Sequence, residues 1–90
     1  MSNYYQDTLD ALADISGYTD VEILGGRSEE CADLRSIFVS LLMRRYANYE
    51  IARMTGLSRQ SVTRIVAMHP TRMARKYSMR ETMEAVELRI

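Results

Sequence analysis

Gln60, Thr63 and Arg64 are polar residues whose spacing places them on the outer side of an α-helix, and Arg59 projects from the N-terminal end of the same helix. An arginine can donate two hydrogen bonds to a guanine edge, a glutamine can pair in the same way with adenine, and a threonine methyl can contact thymine. A two-bond contact of this kind discriminates between bases by ~1–3 kcal/mol. The alternative interpretation is that these residues are only the polar face of a surface helix.

The helix that carries these four residues is predicted from an apolar stripe and a cap. Val62, Ile65 and Val66 recur at helical spacing and would form its inner face. Ser58 can cap the helix by accepting a hydrogen bond from an early backbone N–H, which we expect to be that of Ser61. The sequence therefore predicts a helix that begins just after Ser58.

A shorter helix is predicted immediately before it, with Asn48 as its cap and Ile51 and Ala52 on its inner face. Gly56 would end this helix, because the residue at a sharp helix end often takes a left-handed conformation that glycine adopts easily. Leu57 would plug the turn. Residues 48–68 therefore predict a helix-turn-helix, whose second helix can lie in the major groove of DNA.

Charge is distributed unevenly along a chain whose net charge is zero. Residues 1–33 carry a balance of −7, residues 34–80 a balance of +9, and residues 81–90 a balance of −2. Nine of the ten bases in the middle segment are arginines, the side chain that best forks onto phosphate or guanine. Because local field rather than net charge steers a polyanion, the segment with the helix-turn-helix is suited to DNA.

Several residues around the motif are candidate phosphate contacts. Free N–H groups at a helix N-terminus suit a phosphate, and arginines at the end of the preceding helix would add charge. The candidates are Arg35, Arg44, Arg45, Asn48, Tyr49, Ser58 and Ser61. Alternatives stay open: Arg44 and Arg45 could neutralise the negative end of their own helix, and Arg35 could be solvated or paired with nearby acids.

Other patterns predict an all-α bundle of five or six helices in a single domain, residues 1–90. A first helix spans 3–15 and a short helix spans Asp20–Leu24. The longest helix starts at Ser28 and runs to about Tyr46, at the centre of the bundle. His69-Pro70 predicts a helix boundary. A basic turn follows at Thr71–Tyr77, and a capping-box pattern at Ser78 predicts a last helix over 78–90.

No constellation of residues indicates catalysis, so we do not expect an enzyme. Cys31 is the only cysteine and His69 the only histidine, which predicts neither a metal site nor a nucleophilic pair. We expect Cys31 to be buried. We interpret Arg72, Arg75 and Lys76 as solvated, with contact to DNA as the alternative. No cofactor, small-molecule substrate, signal peptide or membrane span is indicated, and a cytoplasmic location is expected.

With these elements in order, the chain resembles the C-terminal DNA-binding domain of the bacterial replication initiator DnaA, in the Trp-repressor-like superfamily. The resemblance covers a short helix ending in VEILG at 21–25, Ala32 and Arg35 in the long helix, and NYEIA at 48–52. It continues through Gly56, Ser61 and Val62 into the closing helix.

The resemblance implies a function in replication initiation or transcription regulation, with double-stranded DNA as the partner. It also implies a minor-groove contact from the loop that holds Arg27, although this loop turns acidic at Glu29 and Glu30. Ser58, Arg59 and Gln60 stand where the family has Asp-His-Thr, so we expect a different DNA sequence to be read. A protein–protein interaction module, self-associating or bound to a larger partner, is the alternative.

Overall fold

A computed structural model describes residues 3–90 of the chain, and the first two residues of the predicted domain lie outside that range. Residues 3–90 form six α-helices and contain no strand. The helices are α1 (Tyr4–Ser16), α2 (Asp20–Gly25), α3 (Glu29–Leu42), α4 (Asn48–Thr55), α5 (Arg59–Arg75) and α6 (Tyr77–Glu87). The prediction of an all-α fold of five or six helices is confirmed.

Helix α3 lies at the centre of the bundle and packs against α1, α2, α5 and α6. Its residues Ile37, Phe38, Val39, Leu41 and Leu42 are fully buried. The consecutive apolar residues give α3 a wide buried face, because successive positions point to different sides of a helix. The predicted central helix is therefore confirmed, and Cys31 at its start is buried as expected.

The predicted length of α3 is wrong, because the helix ends at Leu42 rather than near Tyr46. The N–H groups of Arg44 and Arg45 bond to the carbonyls three residues back, those of Leu41 and Leu42, so the chain tightens into a turn. Helix α5, with 17 residues, is consequently longer than α3, with 14.

The boundary predicted at His69-Pro70 is also wrong, since α5 continues through Pro70 to Arg75 and includes most of the predicted basic turn. A proline in a helix interior removes one backbone hydrogen bond and disfavours the helix. Here side chains of α3 hold the second half of α5 in place: Ser36 contacts His69, and Asp33 pairs with Arg72. Tertiary contacts therefore override the local signal.

Helix α6 starts at Tyr77 and ends at Glu87, so the predicted range of 78–90 extends too far at the C-terminus. The predicted cap at Ser78 is wrong. Lys76 occupies the N-cap position, and Ser78 lies inside the helix, where its carbonyl accepts a hydrogen bond from Thr82. Met79, Met83 and Val86 are buried on its inner face, whereas Ile90, expected from helical spacing to share that face, lies beyond the helix and is exposed. Within residues 3–90, no helix has the length and apolarity needed to cross a bilayer.

Candidate nucleic-acid interface

The joint between α4 and α5 has the geometry expected from the sequence. Gly56 ends α4 with φ of +80°, in the left-handed region, and its N–H bonds to the carbonyl of Ala52 at 3.0 Å. Leu57 then packs, partly buried, against the core, which contains Ile51 and Ala52. The turn is therefore short and held at both sides, so the direction of α5 relative to α4 is defined.

Ser58 caps α5 as predicted. Its hydroxyl oxygen accepts a hydrogen bond from the N–H of Ser61 at 3.0 Å, and its O–H lies 2.9 Å from the Ser61 hydroxyl oxygen. Both hydroxyl groups, predicted to contact phosphate, thus take part in the cap. Ser58 is exposed and Ser61 is half-buried. Their remaining hydrogen-bonding capacity lies at the positive end of the α5 dipole, which favours an anion.

The first turns of α5 separate an apolar side from a polar one. Val62 is fully buried, whereas Arg59, Gln60, Thr63 and Arg64 are all exposed. Arg59 and Arg64 form no ion pair with any residue of the described range. The four predicted base-facing residues are thus all accessible to solvent, and the guanidinium groups of Arg59 and Arg64 are available to a ligand.

Asn48 does not cap α4, contrary to the sequence-based prediction. The N-cap is Ala47, whose N–H donates to the Glu50 carboxylate at 2.9 Å, while Asn48 is already helical. The side-chain amide of Asn48 instead donates to the Thr63 hydroxyl at 3.2 Å. This contact ties the start of α4 to the exposed face of α5. Tyr49, about half-exposed in the first turn of α4, was predicted to contact phosphate. The Glu50 carboxylate adds negative charge at this same end of the helix.

The arginines after α3 are exposed, but both contact other parts of the bundle. Arg44 forms a 2.7 Å ion pair with Glu87 of α6. The guanidinium of Arg45 lies 4.4 Å from the ring centroid of Tyr4, within cation–π distance. These contacts connect the turn after α3 to the first and last helices. Surface interactions of this kind are weak, at ~0–1 kcal/mol, so either arginine can exchange its partner for a phosphate at little cost.

Arg35 is a structural residue in this bundle. Its Nε donates to the carbonyl of Leu24 at 3.0 Å, and an Nη donates to the carbonyl of Gly26 at 2.6 Å. These bonds fix the end of α2 against α3. Arg27, by contrast, is exposed in the loop between the two helices. The proposed phosphate contact of Arg35 and minor-groove contact of Arg27 stay predictions.

A cluster of ion pairs joins the start of α3 to the end of α5. Arg72 and Lys76 each contact both Glu29 and Asp33, at distances between 2.7 and 3.2 Å. Hydrogen bonding to Lys76 lowers the pKa of Glu29 below its usual value, and hydrogen bonding to Asp33 raises the pKa of Lys76. Arg72 and Lys76 are therefore not freely solvated, contrary to their interpretation from the sequence. Arg75 between them is exposed.

His69 also connects α5 to α3, at a position closer to the centre of α5. Its Nδ1 lies 2.7 Å from the buried hydroxyl oxygen of Ser36, and burial lowers the pKa of the imidazole. Residues 3–90 contain no group of three His, Cys, Asp or Glu side chains that could hold a metal ion. The exposed side chains at the start of α5 carry guanidinium, hydroxyl and amide groups, which suit hydrogen bonding to an anion or to base edges.

Of the residues predicted to face bases, Arg59, Gln60 and Thr63 lie exposed in the first turns of α5, whereas Arg64 lines a groove between α3 and α5. The predicted phosphate contacts are dispersed. Arg44 and Arg45 lie toward α1 and α6, and Arg35 lies behind α5, against α2. The sequence analysis did not predict that Arg72 lies near Arg35 and Arg64. Arg64, Met68 and Arg72 are four residues apart, a spacing that places them on one face of a helix. This inference is possible only once α5 is known to continue past Pro70.

Comparison of the chain with protein-family models, curated proteins and solved structures finds no match. The function of the site is therefore inferred from its own geometry and charge.

Proposed function

We propose that the protein binds double-stranded DNA sequence-specifically, with α4 and α5 acting as a helix-turn-helix. In this proposal the first turns of α5 enter the major groove, and Arg59, Gln60 and Thr63 contact base edges. The observation that carries the proposal is the exposed Arg59, which forms no ion pair with the described residues and lies next to Gln60 at the start of α5. Ser58 caps this helix, and the left-handed turn at Gly56 fixes its direction relative to α4. A role in replication initiation or transcription regulation is the biological setting we propose for this binding.

Phosphate contacts would come from groups that flank this face. Ser58 and Ser61 lie at the N-terminus of α5, and Tyr49 projects from the first turn of α4. Arg44 and Arg45 provide charge further along the surface. Such contacts orient a protein on the duplex without reading its sequence. They would add a salt-dependent contribution to affinity, because each phosphate neutralised releases bound counterions.

The size of the molecule limits the length of DNA that one copy can cover. The backbone of residues 3–90 extends 31 Å along its longest axis, less than the ~34 Å of one helical turn of duplex. One copy can therefore read about one half-site through a single helix. We propose that a longer DNA site is read by two copies or by a copy attached to other machinery.

A selection from a random duplex pool, followed by titration at two salt concentrations, tests this proposal. The wild-type protein is expected to enrich a short sequence and to bind it less tightly at the higher salt. Arg59→Ala is expected to relax the preference at one base pair and to weaken binding by ~1–3 kcal/mol, because a two-bond base contact is lost.

Arg75→Ala is the matched control for Arg59→Ala. Both variants remove an exposed arginine from α5, but Arg75 lies in the last turn, far from the proposed reading face. Arg75→Ala is expected to keep the base preference of the wild-type protein. Absence of duplex binding by the wild-type protein at low salt would overturn the proposal, as would equal loss of specificity in the two variants.

A protein–protein interaction module is the second candidate function, and one surface favours it. Val21 of α2 is 80% exposed, and its neighbours Asp20 and Glu22 are exposed acids. An apolar residue within an acidic surface suits a basic protein partner or the basic surface of a second copy.

Val21→Ser distinguishes the two functions. If α2 is the functional surface, this change weakens association measured by sedimentation and leaves any DNA binding unchanged. If α5 is the functional surface, Val21→Ser has no effect on duplex affinity, whereas Arg59→Ala reduces it.

A further inference from the structure

A groove of about 150 Å³ lies between α3 and α5. Its charged lining residues are three arginines: Arg35 from α3, and Arg64 and Arg72 from α5. The remaining lining consists of Ala32, Ser36, Ile65 and Met68. None of these seven described residues is acidic, so the groove presents positive charge over a partly apolar floor.

Two of the three guanidinium groups are held in place by the fold. Arg35 donates through Nε and one Nη to the carbonyls at the end of α2, and Arg72 donates through one Nη to Glu29 and Asp33. A guanidinium group carries five N–H bonds, so each arginine retains donors for a ligand. Because these side chains are already ordered, a ligand would not have to immobilise them.

Arg64 completes the groove and differs from the other two arginines. It is exposed and forms no ion pair or hydrogen bond with the described residues. The three groove arginines and the residues that pair with Arg72 can be counted together. Their positive charges, on Arg35, Arg64, Arg72 and Lys76, exceed the two negative charges, on Glu29 and Asp33, by two. The groove thus keeps a net positive charge after the internal ion pairs are formed.

We propose that this groove binds a phosphate group, with Arg64 as the main contact and Arg35 and Arg72 as positioned donors. Arginine forks match the oxygen atoms of phosphate, and Ile65 and Met68 form the apolar part of the lining. This inference goes beyond sequence-specific DNA binding, because the phosphate can belong to a DNA backbone or to a free phosphorylated molecule. It also assigns Arg64 to phosphate contact rather than base reading.

The first measurement is a titration of the full chain with inorganic phosphate at constant ionic strength, followed by NMR. The expected result is a saturable shift of the Arg64, Met68 and Arg72 amide signals and of the Arg35 Nε–H signal. Arg64→Gln is expected to weaken this binding roughly tenfold, since a charged hydrogen-bond donor is replaced. Arg75→Gln, an equal change of an exposed arginine outside the groove, is expected to leave it unaltered.

The second measurement identifies the source of the phosphate through duplex binding. If the groove holds a backbone phosphate, Arg64→Gln reduces the slope of log affinity against log salt by about one and Arg75→Gln does not. If the groove holds a free phosphorylated molecule, Arg64→Gln weakens the binding of inorganic phosphate and leaves the duplex salt slope unchanged. Either result supports the phosphate site.

The proposal is overturned if Arg64→Gln behaves like Arg75→Gln in both measurements. Failure of duplex binding would remove the proposed DNA function but would leave the phosphate titration as an independent test of the groove. Arg64 is exposed and unpaired, so its replacement is not expected to unfold the protein. A circular dichroism spectrum identical to that of the wild type checks this point.

Discussion

At the scale of single residues, Gly56 determines how the two helices of the candidate interface meet. Its φ of +80° lies in the left-handed region, which side chains with a Cβ disfavour. No atom lies within 4 Å of a Cβ added at this position, so crowding plays no part. The requirement for glycine here is therefore one of backbone conformation alone.

Gly56→Ala is expected to destabilise the protein by ~1–2 kcal/mol, because alanine must adopt a left-handed conformation. The free energy of unfolding from urea titration measures this effect. The substitution is also expected to weaken duplex binding if it changes the direction of α5.

Gly25→Ala is the matched control for this substitution. Gly25 has an equally open Cβ position but no positive φ, and it lies at the end of α2. Its replacement is expected to be neutral or slightly stabilising. Equal destabilisation by the two variants would contradict the conformational explanation.

At the scale of elements, α5 remains one helix through Pro70 because α3 supports its second half. Asp33 is the centre of this support, and its side chain is only 11% exposed. Its carboxylate pairs with Arg72 at 2.9 Å and with Lys76 at 2.7 Å. The two cationic partners are about one-third exposed, at 30% and 34%. Solvent therefore screens these ion pairs in part, but it does not replace them.

Asp33→Asn is expected to destabilise the protein by ~1–3 kcal/mol, because it removes the charge that Arg72 and Lys76 share. Amide hydrogen exchange should increase most in the segment after Pro70, which loses its anchor on α3. Urea unfolding and exchange measured on the same samples check both effects.

The control for this variant is Glu30→Gln, which removes an exposed and unpaired carboxylate from the same helix. Its effect is expected to stay within about 0.5 kcal/mol. Equal effects of the two variants, or loss of exchange protection confined to α1, would show that the ion-pair cluster does not hold α5.

At the scale of the whole molecule, folding brings part of the acidic segment against the basic one. Glu29 and Asp33 pair with Arg72 and Lys76, whereas the exposed Arg59 and Arg64 of α5 form no ion pair with the described residues. A chain of zero net charge therefore keeps locally unneutralised positive charge on α5. In the proposed DNA-binding function, this charge would orient the protein on a duplex.

The pH dependence of overall stability between about pH 5 and 7 should reflect one side chain. His69 is the only histidine, and histidine is the side chain that ordinarily titrates there. Because burial lowers its pKa in the folded state, the unfolded state binds more protons at pH values below about 6.5. The free energy of unfolding is thus expected to be highest above that value and to fall as acid lowers the pH toward the folded-state pKa.

Urea midpoints at a series of pH values measure this dependence, and His69→Gln is its control. Glutamine can still bond to Ser36 but does not titrate, so its stability should be nearly constant over the same interval. An increase in wild-type stability on acidification would contradict the prediction.

Much of the fold and of the local site follows from sequence patterns. Helical periodicity predicts the buried face of α3 and the burial of Val62 in α5, whereas Ile65 and Val66 are only partly buried against the core. The glycine and serine signals predict the turn at Gly56 and the cap at Ser58. These features are local, because a cap or a left-handed turn involves atoms only a few residues apart. The wrong predictions at Asn48 and Ser78 were also local, since the N-cap positions lie only one and two residues earlier, at Ala47 and Lys76.

The tertiary structure alone decided which distant side chains meet. Pattern reasoning ended a helix at Pro70, whereas contacts with Ser36 and Asp33 of α3 carry α5 onward to Arg75. Only this continuation brings Arg72 beside Arg64 and forms the arginine groove. The physical reason is that hydrogen bonds within a turn depend on neighbouring residues, whereas the ion pairs that hold a helix past its proline depend on residues some forty positions away.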